Sequence, residues 1–191
     1  MEKDYILFDL DGTITEPKIG ITKGIEYALS KFDIKVNDLD ELCKFIGPPL
    51  RVSFKEFYDF DEEKTEEAIK YYREYYKEKG MLECSIYDNF EKLLQLLKFK
   101  GKTLMVATSK ATVFAEQILE HFNLSKYFDF VGGSNLDGTR ESKSEVIEYV
   151  LKENNITDLS KVVMVGDRKY DIIGAKEVGI ESVGILYGYG D

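Results

Sequence analysis

The chain has 191 residues, 43% of them hydrophobic, which suffices for one sizeable core with a smaller insertion. Its formal net charge of −10 disfavours binding to DNA, RNA or an anionic membrane, because such binding needs a basic surface. We find neither an apolar run long enough for a membrane helix nor the pattern of a signal peptide. Two cysteines without metal-ligand spacing, Cys43 and Cys84, favour a reduced, cytoplasmic setting.

The first predicted element is a buried strand over residues 5–9, and it ends in the string Asp9-Leu10-Asp11-Gly12-Thr13. Carboxylates two positions apart point to the same side of an extended segment, and Gly12 permits a sharp turn after them. The pattern therefore places two carboxylates at the carboxyl edge of a sheet, where open α/β folds bind ligands. The alternative is that Asp9 and Asp11 only shape a turn.

Residues 18–85 carry helical patterns and no convincing strand. Thr22 is predicted to N-cap the first helix, and Gly47-Pro48-Pro49 interrupts the series. We expect an all-helical cap over 18–85, inserted after the first strand and placed as a lid above the carboxylates. Its tyrosines, including Tyr72 and Tyr76, are interpreted as a packing face. The predicted helices cover residues 22–32, 39–45, 52–57 and 61–79.

The rest of the chain alternates between strand and helix patterns. This alternation predicts an α/β fold, with a parallel-sheet, Rossmann-like core formed by 1–17 and 86–191. Its predicted strands are 103–107, 128–131, 162–165 and 182–185, and its predicted helices are 90–98, 113–122, 144–153 and 171–178.

A second acidic cluster follows the strand at 162–165, in Gly166-Asp167-Arg168-Lys169-Tyr170-Asp171. Two strands that each end in a pair of acidic residues indicate a cation site built from oxygen ligands, most simply for Mg²⁺.

Hydroxyl and lysine side chains supply possible anion contacts. Thr108 and Ser109 follow the strand at 103–107, where hydroxyls beside a helix start can cradle an anion. Lys143 is the first residue of a predicted helix, which is an electrostatically unfavourable place for a cation. Its position therefore suggests a partner such as phosphate.

Arg140 gives a weaker signal for an anion contact, and no general base is assigned to His121, the single histidine. Each of these signals taken alone also fits ordinary caps and solvated lysines.

Together, four of these sequence motifs resemble those of the haloacid dehalogenase-like hydrolases. They occur in that family's order, and the resemblance covers essentially the whole chain. The motifs are Asp9-x-Asp11-Gly12-Thr13, Thr108, Lys143 and Gly166-Asp167-(x)3-Asp171. The closer likeness is to its phosphoglycolate phosphatase-like and 5′-nucleotidase-like branch, through Phe45-Ile46-Gly47-Pro48-Pro49-Leu50 and Leu136-Asp137-Gly138-Thr139-Arg140.

The resemblance implies a Mg²⁺-dependent phosphatase. Asp9 would attack phosphorus to give an aspartyl-phosphate, and Asp11 would be the general acid and base. Asp9, Asp11 (through its carbonyl) and Asp167 would hold Mg²⁺, with Asp171 as a ligand or a holder of ligands. Phosphate or substrate contacts are expected from Gly12, Thr13, Thr108, Ser109 and Lys143, and from Arg51 beside the cap's proline loop.

The implied substrate is a small phosphomonoester, of the phosphoglycolate or nucleoside 5′-monophosphate type, which a helical lid can enclose. A sugar-phosphate mutase of the same fold and a non-catalytic, phospho-accepting receiver-like domain remain alternatives.

Two departures from the family pattern stand out. Tyr87-Asp88-Asn89 replaces a frequent Pro-Gly, and the chain stops at Tyr187-Gly188-Tyr189-Gly190-Asp191, where relatives usually continue. The second implies either a truncated chain or a short native end.

Overall fold

The structure is a computed structural model that describes residues 2–190. Met1 lies outside it, as does Asp191, the last residue of the C-terminal segment singled out in the sequence. The chain divides into two compact units. The sheet unit comprises the residues up to Glu16 together with those from Ile86 onward, and the helical unit comprises Pro17–Ser85.

The strands and helices are as follows, in chain order. The strands are β1 (Tyr5–Phe8), β2 (Thr15–Glu16), β3 (Ser85–Ile86), β4 (Thr103–Ala111), β5 (Phe130–Ser134), β6 (Val162–Gly166) and β7 (Glu181–Gly184). The α-helices are α1 (Lys18–Ser30), α2 (Leu50–Tyr58), α3 (Glu62–Glu78), α4 (Phe90–Phe99), α5 (Thr112–His121), α6 (Lys143–Glu153) and α7 (Lys169–Val178). Short 3-10 helices occupy Leu39–Phe45, Gly80–Leu82, Ser125–Tyr127 and Leu159–Lys161.

A five-stranded parallel sheet forms the sheet unit, in the order β5-β4-β1-β6-β7. The predicted α/β class with a parallel sheet is confirmed. β1 is central, and its last residue Phe8 pairs with Val106 of β4 and Val165 of β6. The carboxyl ends of these three strands therefore meet at one edge of the sheet.

The core of this unit is packed from both sheet and helices. Leu7, Met105 and Met164 on the central strands are fully buried in one cluster with Val146 of α6 and Ala175 of α7. Strands that are covered on both faces consist of continuous apolar residues, and such short apolar runs are the pattern from which these strands were predicted.

The helical unit differs from the prediction in how its first helix begins. α1 starts at Lys18 directly after Pro17, so the prediction that Thr22 is the N-cap is wrong. A proline is suited to a helix start because its φ is preset and it lacks an N–H that would be unsatisfied there. The Thr22 hydroxyl instead donates to the Lys18 carbonyl oxygen at 2.7 Å, inside the helix.

Tyrosines form a packing face in α3, as predicted. Tyr72 and Tyr76 are buried, and their rings stack with centroids 5.1 Å apart. Asp61 caps this helix by accepting from the Lys64 N–H. Among residues 2–190, no helix combines the length and the apolar character needed to span a bilayer.

Candidate active site

Polar side chains lie at the carboxyl ends of all three central strands of the sheet unit. Asp9 follows β1, Thr108 and Ser109 lie in the last part of β4, and Asp167 follows β6. The β4–β5 register shifts between Ala107 and Ala111, so β4 is irregular where its polar residues lie. Such irregularities re-aim side chains at sheet edges. The hydroxyl oxygen of Thr108 is buried and accepts from the Lys110 N–H at 3.2 Å.

Three aspartates converge at this edge. Asp9, Asp167 and Asp171 are buried, and each offers a carboxylate oxygen within 4.8 Å of the others. Burial raises the pKa of Asp167 to about 6, with further contributions from the charges of Asp9 and Asp171. Burial likewise raises the pKa of Asp171, and Lys143 opposes that shift. Carboxylates held this close are stabilised by a cation between them.

Lys143 lies among these aspartates rather than in solvent. Its Nζ is 2.9 Å from Asp9 Oδ1 and 2.8 Å from Asp171 Oδ1, and it donates to the Ala107 carbonyl at 3.1 Å. Burial lowers the pKa of Lys143, but Asp171 and Asp9 outweigh this and raise it above its usual value. The two aspartates therefore favour the charged form of Lys143 at the acidic cluster.

The start of α6 is built to tolerate a buried lysine in its first turn. Ser142 and Glu145 form a capping box, in which the Ser142 hydroxyl accepts from the Glu145 N–H and the Glu145 carboxylate accepts from the Ser142 N–H. The acidic side chain in the first turn also offsets the unfavourable field that a lysine meets there.

Asp11 occupies a separate polar niche. Its Oδ2 lies 2.8 Å from Lys110 Nζ, and its Oδ1 accepts from the Thr15 hydroxyl at 3.3 Å. Burial raises the pKa of Asp11, Lys110 lowers it, and Asp9 raises it further. The sequence analysis assigned no role to Lys110; its position directly after Thr108 and Ser109 was the available signal.

Gly12 is required by the turn that joins these groups. Its φ is +82°, and a Cβ there would lie 2.3 Å from Asp167 Oδ2. The Gly12 N–H donates to the Thr15 carbonyl and the Thr13 N–H to the Leu10 carbonyl, so both amides already serve the turn. The Thr13 hydroxyl donates to Asp167 Oδ1 at 3.4 Å. Phosphate binding by Gly12 and Thr13 stays a prediction.

The segment after β7 adds contacts that sequence reasoning missed. The Tyr189 N–H donates to Asp167 Oδ2 at 2.6 Å, and the Tyr187 hydroxyl donates to the Thr13 carbonyl at 2.9 Å. The Tyr187 ring meets Tyr87 edge-on, with centroids 4.7 Å apart. Tyr87 directly follows β3, in the segment that departs from the family pattern.

Two arginines have well-defined partners. Arg140, in the left-handed region at φ 54°, donates through Nε to the Gly133 carbonyl at 2.7 Å and stacks 3.6 Å above the Tyr149 ring. It thereby organises the loop before α6. Arg51, in the helical unit, pairs with Glu62 at 3.2 Å and also with Glu66. Its predicted contact with substrate stays a prediction.

The aspartate cluster fits a hard divalent cation. Its donors are all carboxylate oxygens, without histidine or thiol. Within residues 2–190, both polar contacts of the Asp9 carboxylate fall on Oδ1, from the Leu10 N–H and from Lys143, so Oδ2 is available as a ligand or nucleophile. Asp171 is engaged through both oxygens, by the Arg168 N–H and by Lys143, which suits it to holding the other groups in place.

Comparison with known proteins identifies the family. The family described as haloacid dehalogenase-like hydrolase matches residues 6–185, nearly the whole chain. The chain belongs to the haloacid dehalogenase-like hydrolases. Within that family it is a phosphoric monoester hydrolase, as its similarity to phosphatases indicates.

Three similar proteins place this hydrolase among its relatives. A 5′-nucleotidase from Pseudomonas aeruginosa is 43% identical over 97% of this chain and 83% of its own length. A tyrosine-protein kinase, PtkA of Mycobacterium tuberculosis, is 36% identical over 97% of this chain, which spans 62% of that relative. The crystal structure of a predicted phosphatase from Clostridium acetobutylicum matches with a TM-score of 0.98 and 52% identity, over 100% of this hydrolase and 88% of that chain.

Proposed function

We propose that this hydrolase is a Mg²⁺-dependent phosphatase that cleaves a small phosphomonoester through an aspartyl-phosphate on Asp9. One observation carries the proposal: the Asp9 carboxylate lies 2.9 Å from a buried lysine and within 4.8 Å of two further buried aspartates, and its Oδ2 has no polar contact among residues 2–190. A carboxylate nucleophile needs nearby positive charge to approach a phosphate dianion, and Lys143 supplies part of it.

In the first step an Asp9 oxygen bonds to phosphorus while the bond from phosphorus to the ester oxygen breaks. Asp11 gives its proton to the departing oxygen, and burial supports the protonated form by raising the pKa of Asp11. In the second step Asp11 takes a proton from water, the water oxygen bonds to phosphorus, and inorganic phosphate leaves Asp9. Thr108, Ser109 and Lys143 would bind the phosphoryl oxygens.

Mg²⁺ would be held by Asp9, by Asp167 and by the main-chain carbonyl of Asp11. Asp171 would hold these ligands in place. The chemistry that the ion supplies when bound is neutralisation of charge between the nucleophile and the phosphate. The lack of nitrogen and sulphur donors in the cluster supports Mg²⁺ over Zn²⁺.

For the substrate we propose a nucleoside 5′-monophosphate ahead of phosphoglycolate. The support is the 43% identity to a protein named 5′-nucleotidase. The predicted cap, residues 18–85, would enclose a small substrate. A reducing location, the cytoplasm, is proposed from the cysteine usage, since Cys43 and Cys84 are the two cysteines of the sequence and lack metal-ligand spacing.

The test is phosphate release from a panel of nucleoside monophosphates, phosphoglycolate and p-nitrophenyl phosphate, with wild-type protein and Asp9→Asn. We expect activity that disappears with EDTA and returns with Mg²⁺. In Asp9→Asn, whose amide is nearly isosteric, we expect kcat to fall at least about 1000-fold, roughly 4 kcal/mol.

A phosphorylated wild-type intermediate, detected by mass spectrometry after acid quench, should be absent from Asp9→Asn. Full activity after chelation would overturn the metal proposal. Transfer of phosphate from ATP to a tyrosine peptide, without release from any monoester, would replace hydrolysis by the kinase activity for which the mycobacterial relative is named.

A further inference from the structure

A buried ion pair joins Lys110 to Asp11. The Lys110 Nζ is 2.8 Å from Asp11 Oδ2, and the two side chains are only 6% and 11% exposed. Thr15 donates to the other carboxylate oxygen at 3.3 Å. A cation and a hydroxyl thus hold the two oxygens of Asp11 from two sides, and this fixes the plane of the carboxylate.

The backbone at the end of β4 is irregular where it presents Lys110. β4 leaves its regular pairing with β5 after Ala107 and regains it at Ala111, and the Lys110 N–H donates to the Thr108 hydroxyl within that stretch. One irregular segment therefore orders both Thr108 and Lys110. Buried ion pairs contribute little net stability, because desolvation offsets their attraction, so stability alone does not account for this pair.

We propose that Lys110 is a positioning residue that, with Thr15, orients Asp11 for proton transfer to and from the leaving-group oxygen. The inference rests on the proposed role of Asp11 as general acid. When the ester bond breaks, the proton moves from Asp11 to the departing oxygen, while Lys110 stays protonated and keeps its contact with the carboxyl group. Lys110 loses no proton and forms no bond to phosphorus.

This role differs measurably from phosphate binding. A misplaced acid matters most for an alkyl leaving group, which needs a proton, and least for p-nitrophenolate, which leaves without one. A lost phosphate contact would affect every substrate equally, because the phosphoryl group is common to all of them. The dependence of kcat/KM on leaving-group acidity therefore separates the two roles, since kcat/KM includes only the steps up to formation of the aspartyl-phosphate.

The experiment measures kcat/KM for wild type and Lys110→Met over phosphomonoesters from p-nitrophenyl to simple alkyl phosphates, with Mg²⁺ present. We expect a loss of roughly 10- to 100-fold with alkyl phosphates, part of the 10²–10⁴ that a positioned acid contributes. With p-nitrophenyl phosphate we expect a loss below about 3-fold. An equal loss over the series, or no loss, would overturn the proposal.

Three further variants complete the design. Asp11→Asn tests the proposed function itself: if its loss does not depend on the leaving group, the general-acid role of Asp11 fails independently of Lys110. Lys110→Gln gives the same comparison should Lys110→Met not fold. Lys98→Met, which removes a lysine paired with Asp129 at 2.8 Å in the same unit, should leave the leaving-group dependence as in wild type.

Discussion

At the scale of single residues, the site concentrates charge that a protein interior normally excludes. Four aspartates and two lysines are buried at one sheet edge: Asp9, Asp11, Asp167, Asp171, Lys110 and Lys143. Burial raises the pKa values of Asp11, Asp167 and Asp171, and the charge of Asp9 adds to each of these shifts. Without a bound cation, the carboxylates of the cluster reduce the stability of the fold at neutral pH.

Asp167→Asn should therefore stabilise the metal-free protein at neutral pH while removing a proposed metal ligand. The folded-state pKa of Asp167 is raised to about 6 from an ordinary 3.8, so its contribution to stability is most favourable below pH 4 and is lost as the pH rises through 6. At pH 7.5 we expect a gain on the order of 1 kcal/mol, reduced from the full pKa shift for screening of the charge by solvent, and this gain should vanish by pH 4.

Urea unfolding in EDTA at several pH values measures this gain. Asp137→Asn is the matched control: its pKa is lowered by hydrogen bonds from Thr139, so its removal should not stabilise the protein at pH 7.5. Adding Mg²⁺ should stabilise the wild type and not Asp167→Asn. A variant less stable than wild type in EDTA at pH 7.5 would contradict the argument.

At the scale of elements, the turn after β1 decides how closely the aspartates approach. Gly12→Ala must accept φ +82° and a Cβ 2.3 Å from Asp167 Oδ2. Gly101, in the turn after α4, has φ +71° and nothing within 4 Å of its added Cβ. Gly101→Ala should thus lower the free energy of unfolding by about 1 kcal/mol from backbone strain alone.

Gly12→Ala should cost more, about 2–4 kcal/mol, because strain and overpacking combine, and it should weaken Mg²⁺ binding by displacing Asp167. Denaturant unfolding and isothermal calorimetry of both variants provide the comparison. If both substitutions lowered the free energy of unfolding equally, the added Cβ at position 12 would not disturb Asp167, and this prediction would be wrong.

Some of these elements and contacts could be predicted from the sequence, and others could not. Buried strands and capped helices follow from local patterns, so β1, β6 and α6 were predictable, as was the presence of Asp9 and Asp167 at strand ends. The pairing of Lys110 with Asp11 was not, because it depends on the irregular end of β4 and on side chains distant in sequence. The start of α1 was misplaced because a threonine was preferred over the proline before it.

At the scale of the whole molecule, one predicted site residue belongs to a different unit from the others. Arg51 lies in α2 of the helical unit, paired with Glu62 and Glu66. If it recognises the leaving group, Arg51→Ala should lower kcat/KM at least about 10-fold, or 1.4 kcal/mol, for the best natural substrate. Its effect on p-nitrophenyl phosphate should be small, since that ester offers no matching acceptor.

Lys55→Ala is the control, because Lys55 is on the same helix and also pairs with Glu62. Steady-state kinetics of both variants on both substrates give the answer. If Arg51→Ala and Lys55→Ala changed kcat/KM equally, Arg51 would act only through its ion pairs within the helical unit and would not recognise the leaving group.

The central position of β1 also has a consequence for how the protein is made. Tyr5 pairs with Thr103 on one side and with Val162 on the other, so the first strand synthesised has no partner until β4 is made and lacks its second partner until β6 is made. Residues 17–85, by contrast, form a compact unit within one continuous segment, which is complete before β4 is made. Until β4 is made the apolar strand Tyr5–Phe8 is open on both edges, which exposes it to aggregation.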